Sequence, residues 1–229
     1  MDRQEYASQV STESHAVALT ADCAVFGFFG DALRILLVRR AVEPFKGAWA
    51  LPGGVMQPNE TLEDTAIHLL RTLVNVENVK IRQVKTYSGL YRHPIRRVVT
   101  TSYFALVSPE DHNPVAREHL DKVMWCPLEE LPELGFDHLT IVQDAHKALK
   151  EALRRQPLAF QLLPENYTLK EVQKVYESII GEDLDRRNFR RKIMAYGFLI
   201  NTEEKKPGVK GGPELYRTDL VKLATYLED

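Results

Sequence analysis

The sequence predicts an α/β protein in two parts: a mixed β-sheet covered by helices, then a smaller and mostly helical domain. Three observations predict this arrangement. Short β-rich runs alternate with two amphipathic helices over residues 1–155. A stretch with two prolines breaks the pattern near Arg154–Pro164. Residues 156–229 then carry two helical patterns followed by a pair of strand-like runs.

The first part begins with β-rich runs on either side of Gly30-Asp31, which is typical of a hairpin turn. A third strand ends in two glycines, and the helix that follows has its apolar residues at a helical period. Two more strands, a strand that runs into a short helix, and a long helix with a basic end complete this part. The runs in order are AVALTADCAVFGFF, ALRILLVRR, AWALPGG, TLEDTAIHLLRTLVN, VKIRQVKTYSGLY, RRVVTTSYFALVS, KVMWCPLEELPEL and DHLTIVQDAHKALKEALRR.

The second part has clear signals for the start and end of each helix. Thr168 is placed to cap the helix LKEVQKVYESII, and Gly181 is placed to end it. Asp185 is placed to cap the basic helix RRNFRRKIMAY, which Gly197 closes. The strands FLINTEE and ELYRTD flank the loop KKPGVKGGP. A helix, a short turn, a basic helix and a hairpin follow one another as in a winged helix-turn-helix.

Composition excludes several classes of protein. The chain has 30 basic and 32 acidic residues, a net charge of -2 and 44% hydrophobic residues, so it is neither disordered nor fibrous. A near-zero charge argues against indiscriminate coating of nucleic acid but leaves room for a local basic patch. Cys23 and Cys126 are expected to be small buried side chains, with a reactive thiol the lesser alternative. The first fifteen residues lack the apolar core of a secretion signal, and no run approaches the ~20 apolar residues that span a bilayer, so we expect a cytoplasmic protein.

The segment around Trp49 carries the most specific motif. It reads G-A-W-A-L-P-G-G from Gly47 to Gly54, and Glu60 follows. This resembles the Nudix family, whose signature is G-x5-E-x7-R-E-U-x-E-E-x-G-U, with U a bulky apolar residue. The resemblance runs from about Thr20 to about Arg155. It implies the Nudix α/β/α sandwich with a mixed sheet.

The second half of that signature is absent. His68-Leu69 stands in place of Arg-Glu, Thr72-Leu73 in place of Glu-Glu, and Asn75 in place of the glycine. Hydrolysis of a nucleoside diphosphate derivative needs carboxylates that hold Mg²⁺ or Mn²⁺, and leucine cannot hold a cation. We therefore expect no catalytic residues, no metal site and no required cofactor, and we interpret Glu60 as a helix cap. An active hydrolase of ADP-ribose or a related compound is the alternative, and residual turnover stays open.

The basic helix predicts contact with DNA. Five of its residues at 186–192 are basic, while Phe189 and Ile193 form its buried stripe. Arginine can form paired hydrogen bonds with guanine or with phosphate, and asparagine pairs with adenine. A solvated basic face, or an adaptor that binds RNA or protein, is the alternative. The predicted DNA-binding residues are Arg186, Arg187, Asn188, Arg190, Arg191, Lys192, Lys205, Lys206 and Lys210.

The two parts together resemble the Nudix-related bacterial transcriptional regulators. That resemblance implies a repressor that binds a palindromic double-stranded DNA operator as a homodimer formed through its Nudix domain. One branch of the family senses ADP-ribose and controls NAD biosynthesis. Another senses L-arabinose or a related pentose, and YRHPIRRVV departs from the pattern of the NAD branch at His93, Ile95 and Arg96.

A small-molecule pocket is expected among polar residues of the strands and the glycine-rich turn. Ligands with phosphates or rings need such donors and acceptors. The predicted ligand-binding residues are Asp22, Arg39, Arg40, Trp49, Gly53, Gly54, Arg92, Arg97 and Tyr103.

Overall fold

The computed structural model describes residues 16–108, 112–208 and 211–227. Lys210 and the first fifteen residues, on which two of the predictions above depend, lie outside these ranges. The described residues form a seven-stranded sheet, a two-stranded sheet and five α-helices. This is the predicted α/β fold followed by a winged helix.

The large sheet has the order β3-β2-β1-β6-β5, with β4 paired to β1 and β7 paired to β2. The β1–β6 pairing is parallel and the other pairings are antiparallel, so the sheet is mixed as predicted. The central strands β1 and β6 are almost continuously buried because helices cover both faces. The strands are β1 Ala18–Phe29, β2 Ala32–Arg40, β3 Trp49–Ala50, β4 Gly53–Val55, β5 Ile81–Tyr87, β6 Val98–Val107 and β7 Leu120–Pro127.

Helix α1, Leu62–Val74, covers one face of the sheet, and helix α2, His138–Arg155, covers the other. The α1 face packs Leu70 and Leu73 against β1 residues such as Cys23 and Val25. The alternating side chains of β1 divide between the two layers, which makes the predicted α/β/α sandwich. Cys23 and Cys126 are both buried and form no disulfide, and burial raises the pKa of each thiol, as expected of structural cysteines.

The C-terminal domain has its elements in the order of a winged helix. Helices α3, Leu169–Ile180, and α4, Arg186–Ala195, precede β8, Leu199–Lys205, and β9, Glu214–Thr218, and α5, Leu220–Leu227, follows. The core of this domain is continuous with the α2 layer of the sandwich. Among the described residues, none of the helices is long and apolar enough to cross a membrane.

The predicted helix caps in this domain are confirmed. The Thr168 hydroxyl accepts a hydrogen bond from the backbone N–H of Glu171, and the Glu171 carboxylate accepts one from the Thr168 N–H. Gly181 ends α3 with φ of 80°, a left-handed conformation that glycine adopts without strain. The Asp185 carboxylate accepts from the N–H of Asn188 and so starts α4. These caps fix where the basic helix begins.

Candidate functional site

A cavity of 440 Å³ opens at the edge of the sandwich, between β1, β4, the loop after β2 and the start of α2. Its walls combine cationic, aromatic and small residues, which is the composition of a site for a polar ligand. Five predicted ligand-binding residues lie in this wall, namely Asp22, Arg40, Gly53, Gly54 and Arg92. The other polar or aromatic members are Thr20, Glu43, His93, Arg96, His119, Phe136 and His138.

Asp22 lies at the floor of the cavity, and its carboxylate is held from several sides. The hydroxyl of Thr100 donates to Asp22 Oδ2 over 2.7 Å. Arg92 Nη2 lies 3.5 Å from the same oxygen, and His138 Nε2 lies 3.6 Å from Oδ1. Only 6% of Asp22 is exposed, so this charge depends on its neighbours for compensation.

Gly53 lies directly opposite Asp22 in the β1–β4 pairing. A Cβ atom at position 53 would lie 2.0 Å from Asp22 Oδ1 and 2.8 Å from the backbone oxygen of Ala21. At Gly54 it would meet only the end of the Leu69 side chain, at 2.9 Å. Gly53 is therefore required by the close approach of a buried carboxylate, while Gly54 faces a side chain that can move.

Arg92 links the cavity to the first turn of α2. It donates two hydrogen bonds to Asp137, from Nε over 3.0 Å and from Nη2 over 2.7 Å, and its side chain is only 5% exposed. His138 Nδ1 accepts the N–H of Leu51 over 2.9 Å, which requires an unprotonated Nδ1. Burial lowers the pKa of His138, in agreement with this neutral state.

Aromatic rings form one side of the cavity. Phe136 is stacked on His93 with centroids 5.5 Å apart and contacts Phe45 edge-on at 4.7 Å. The Arg40 guanidinium lies 5.1 Å from the centre of the Phe136 ring. This arrangement places a flat apolar surface beside guanidinium groups, as a ligand with both a ring and an anionic group requires.

Four predicted ligand-binding residues lie away from the cavity. Arg39 Nε donates to the Gly47 carbonyl, and Trp49, its cross-strand partner, packs on the apolar core. Arg97 donates to the carbonyls of the loop residues at 88 and 89, over 2.9 and 2.8 Å. Tyr103 is buried under α1, where its hydroxyl donates to Glu63 over 3.1 Å.

Glu60, at the matched glutamate position of the motif, is held by hydrogen bonds within the start of α1. Glu60 Oε1 lies 2.7 Å from His68 Nδ1, and its other oxygen accepts from the Thr65 hydroxyl. The hydrogen bond with His68 lowers the pKa of Glu60. Glu60 is not a helix cap, and that interpretation was wrong: Thr61 caps α1 through a box with Asp64, because the helix begins one residue later.

The other signature positions also serve the structure. Leu73 is buried, and Leu69 packs beside it against the apolar layer under α1. The Thr72 hydroxyl donates to the His68 carbonyl, and Asn75 ends α1 in the left-handed conformation at φ of 57°. No group of three His, Cys, Asp or Glu side chains among the described residues could hold a metal ion.

The basic helix α4 is amphipathic in the way the sequence predicts. Phe189 and Ile193 are buried, and Phe189 packs edge-on against Tyr176 of α3 with ring centres 5.2 Å apart. The Arg191 guanidinium donates to Asn188 over 3.1 Å. The polar side chains of the helix are all exposed: Arg186, Arg187, Asn188, Arg190, Arg191 and Lys192.

The two described lysines of the wing differ in their surroundings. Lys205 is exposed at the end of β8 and borders a groove that also contains Arg186 and Arg190. Lys206 forms an ion pair with Glu171 of α3. Arg186, Arg190 and Lys205 therefore border one groove of the domain, whereas Lys206 is bound to α3.

Two family models match the chain. The NUDIX domain model matches residues 18–150, and the model of the NrtR DNA-binding winged helix domain matches residues 159–218. An ADPR responsive transcriptional repressor, NtrR of Acinetobacter baylyi, is 32% identical over 87% of this chain and 81% of its own. An ADP-ribose pyrophosphatase of Methanocaldococcus jannaschii is 32% identical over 53% of this chain and 70% of its own.

Two solved structures of one regulator are similar to this chain. The complex of Shewanella oneidensis NrtR with a 27mer DNA superposes with a TM-score of 0.77 at 29% identity, over 90% of this chain and 95% of that one. The NUDIX domain of the same protein with ADP ribose superposes with a TM-score of 0.57 at 30% identity, over 65% of this chain and 99% of that domain. The likeness thus covers both parts of the chain.

Proposed function

Because the chain belongs to the Nudix-related transcriptional regulators with an NrtR-type winged helix, we propose that it is a repressor whose operator affinity is set by ADP-ribose. The observation that carries the proposal is one chain with both a basic helix on a winged helix and a polar cavity on a Nudix sandwich that has leucines, Leu69 and Leu73, at two carboxylate positions of the signature. The A. baylyi repressor and the S. oneidensis complexes support it. Its place of action would be the cytoplasm, where the operator lies.

The cavity favours ADP-ribose over a pentose. Arg40, Arg92 and Arg96 line it, and three guanidinium groups suit a diphosphate, whereas a neutral sugar has no charge for them to bind. Phe136 offers a ring surface for the base or the ribose. A ligand seated here would need no metal or cofactor.

We propose that the basic helix α4 is the recognition helix, which contacts the bases of the operator. Its start is fixed by Asp185, and it presents Arg187, Asn188 and Arg191 to solvent, where a major groove can accommodate them. Lys205 would contact the backbone from the wing. One such helix binds one half-site, and a palindromic operator has two half-sites, so two copies of the helix are needed.

A homodimer through the Nudix domain supplies the second reading helix. The loop after β5 exposes three apolar side chains beside the cavity: Leu90 at 68%, Tyr91 at 93% and Ile95 at 72%. Large exposed apolar side chains clustered on one loop are typical of an interface. We propose that this loop contacts a second copy. If the two α4 helices then dock in successive major grooves, the half-sites should lie about 34–36 Å apart or a multiple of that distance.

Titration of operator DNA tests this proposal. Duplex DNA from upstream of the protein's own operon should bind at least tenfold more tightly than a scrambled duplex. Saturating ADP-ribose should weaken that complex by a factor of about 5–150, a typical coupling between two sites. It should also raise the melting temperature, since it binds only the folded state. Arabinose and xylose should leave both measurements unchanged.

The contradicting outcomes are separate for the two halves of the proposal. Equal affinity for the upstream and scrambled duplexes would contradict operator binding. A rise in melting temperature with arabinose or xylose, and none with ADP-ribose, would contradict the choice of effector.

We further expect no hydrolysis of ADP-ribose. With Mg²⁺ or Mn²⁺, release of AMP should equal that of a protein-free control, because Leu69 and Leu73 offer no oxygen to a cation. The M. jannaschii pyrophosphatase serves as the positive control. Metal-dependent turnover that Glu60→Gln abolishes would show that the site still works as an enzyme.

A further inference from the structure

Helix α2 connects the cavity to the winged helix domain. It is preceded by its N-cap residue Asp137, which is bound by Arg92, and it begins at His138, which lies in the cavity wall. At about 1.5 Å per residue, His146 lies roughly 12 Å further along the helix axis and Leu153 roughly 22 Å. The same helix thus has one end at the proposed effector site and the other against the C-terminal domain.

His146 forms a hydrogen bond between α2 and helix α3 of the C-terminal domain. Its Nε2 lies 2.9 Å from the carbonyl oxygen of Ile179, in the last turn of α3. Carbonyls in the last turn of a helix have no partner within the helix, so His146 satisfies a group that would otherwise be left unpaired. The His146 ring also lies 6.2 Å from the Phe26 ring of β1, which limits its movement.

The far end of α2 reaches the basic helix itself. Leu153 is 2% exposed and belongs to the core cluster that contains Phe189 and Ile193. Leu153 and Arg154 line an apolar groove of 240 Å³ whose opposite wall contains Asn188 and Lys192 of α4. A shift of α2 would therefore act on α3 through a hydrogen bond, and it would move one wall of a groove that α4 also lines.

Resting on the proposed function, we propose that α2 relays effector binding to the DNA-binding domain and that His146 is the positioning residue of the relay. A diphosphate beside Arg92 competes with Asp137 for the same guanidinium, so it changes how the first turn of α2 is held. The helix passes that change to α3 through the bond between His146 and Ile179. Two sites that bias one packed element are coupled in both directions.

The test compares two substitutions at one position. His146→Leu removes the donor, and His146→Gln keeps an N–H at a similar distance along the side chain. His146→Leu should leave ADP-ribose affinity without DNA, and operator affinity without ADP-ribose, within about threefold of wild type. Its ratio of operator affinities with and without ADP-ribose should fall to less than twofold, whereas His146→Gln should keep the wild-type ratio.

Ser178→Ala is the matched control. The Ser178 hydroxyl accepts the N–H of Leu33 in β2 over 2.7 Å, so it joins the same two domains without involving α2. This variant should keep the wild-type ratio within about twofold. The relay is overturned if His146→Leu keeps the wild-type ratio of operator affinities with and without ADP-ribose. It is also overturned if Ser178→Ala lowers that ratio as much as His146→Leu does.

A second measurement needs no effector. Asp137→Asn weakens the hold of Arg92 on α2 and should change operator affinity about threefold or more in the wild-type background. Combined with His146→Leu it should have almost no effect, since coupled positions do not add. Additive effects of the two substitutions on operator affinity overturn the relay. If ADP-ribose does not change the operator affinity of the wild type, only the proposed effector is contradicted.

Discussion

Replacement of Gly53 by alanine is expected to lower the free energy of unfolding by about 3 kcal/mol, the upper end of what overpacking costs. The new methyl group would lie 2.0 Å from Asp22 Oδ1 and 2.8 Å from the Ala21 carbonyl, far inside contact distance. Asp22 cannot swing away, because Thr100 and Arg92 hold its carboxylate in a buried site. Urea unfolding with an unchanged m value measures the loss.

The same substitution should weaken ADP-ribose binding at least tenfold. Displacement of Asp22 would also displace Arg92, which lines the cavity and is shared with Asp137. Gly54→Ala is the matched control, since its methyl group would meet only Leu69, and it should cost less than about 1 kcal/mol. Equal stabilities for the two variants would contradict the close approach of Asp22 to Gly53.

Local signals in the sequence were sufficient for most of the fold. The caps at Thr168, Asp185 and Gly181 were predictable because each depends on residues within four positions. The sandwich followed from the motif between Gly47 and Glu60, since it resembles a family with a known fold. The start of α1 was misplaced by one residue, and the role of Glu60 was lost with it, because its partner His68 lies eight residues away.

The cavity was only partly predictable, because a strand directs neighbouring residues to opposite faces. Asp22 faces the cavity, whereas Tyr103 is paired with Cys23 and shares its position under α1. Arg40 reaches the cavity, while Arg39 turns away beside Trp49. Without the register of the sheet, the sequence cannot say which of two adjacent arginines points inward.

Other cavity residues come from distant segments of the chain. His138, two residues after Phe136, is held beside the segment between β3 and β4 by the bond from the Leu51 N–H to His138 Nδ1, across 87 positions. In the sequence they only stand at the start of the last helical run of the first part. Arg96 lies next to Arg97, which instead holds the loop through backbone carbonyls. Contacts over such separations follow from the tertiary fold and leave no local pattern.

Replacement of both Arg187 and Arg191 by alanine is expected to lower operator affinity about 100-fold or more. A well-placed arginine contact with a base contributes about 1–3 kcal/mol, and a contact with phosphate also counts toward the salt dependence. Both side chains are exposed, so the free energy of unfolding should change by less than about 0.5 kcal/mol. Fluorescence anisotropy with labelled operator at several salt concentrations measures the loss.

The control removes the same charge from the Nudix domain. Arg71 and Arg155 are also exposed, and their double replacement by alanine should leave operator affinity within about twofold. A smaller slope of log affinity against log salt, with specificity kept, would assign the α4 arginines to phosphates; a loss confined to the operator would assign them to bases. Equal losses in the two double variants would mean that net charge, rather than the α4 surface, attracts the DNA. Unchanged affinity in both double variants would contradict α4 as the helix that contacts the bases. It would instead favour a basic face of α4 that is only solvated.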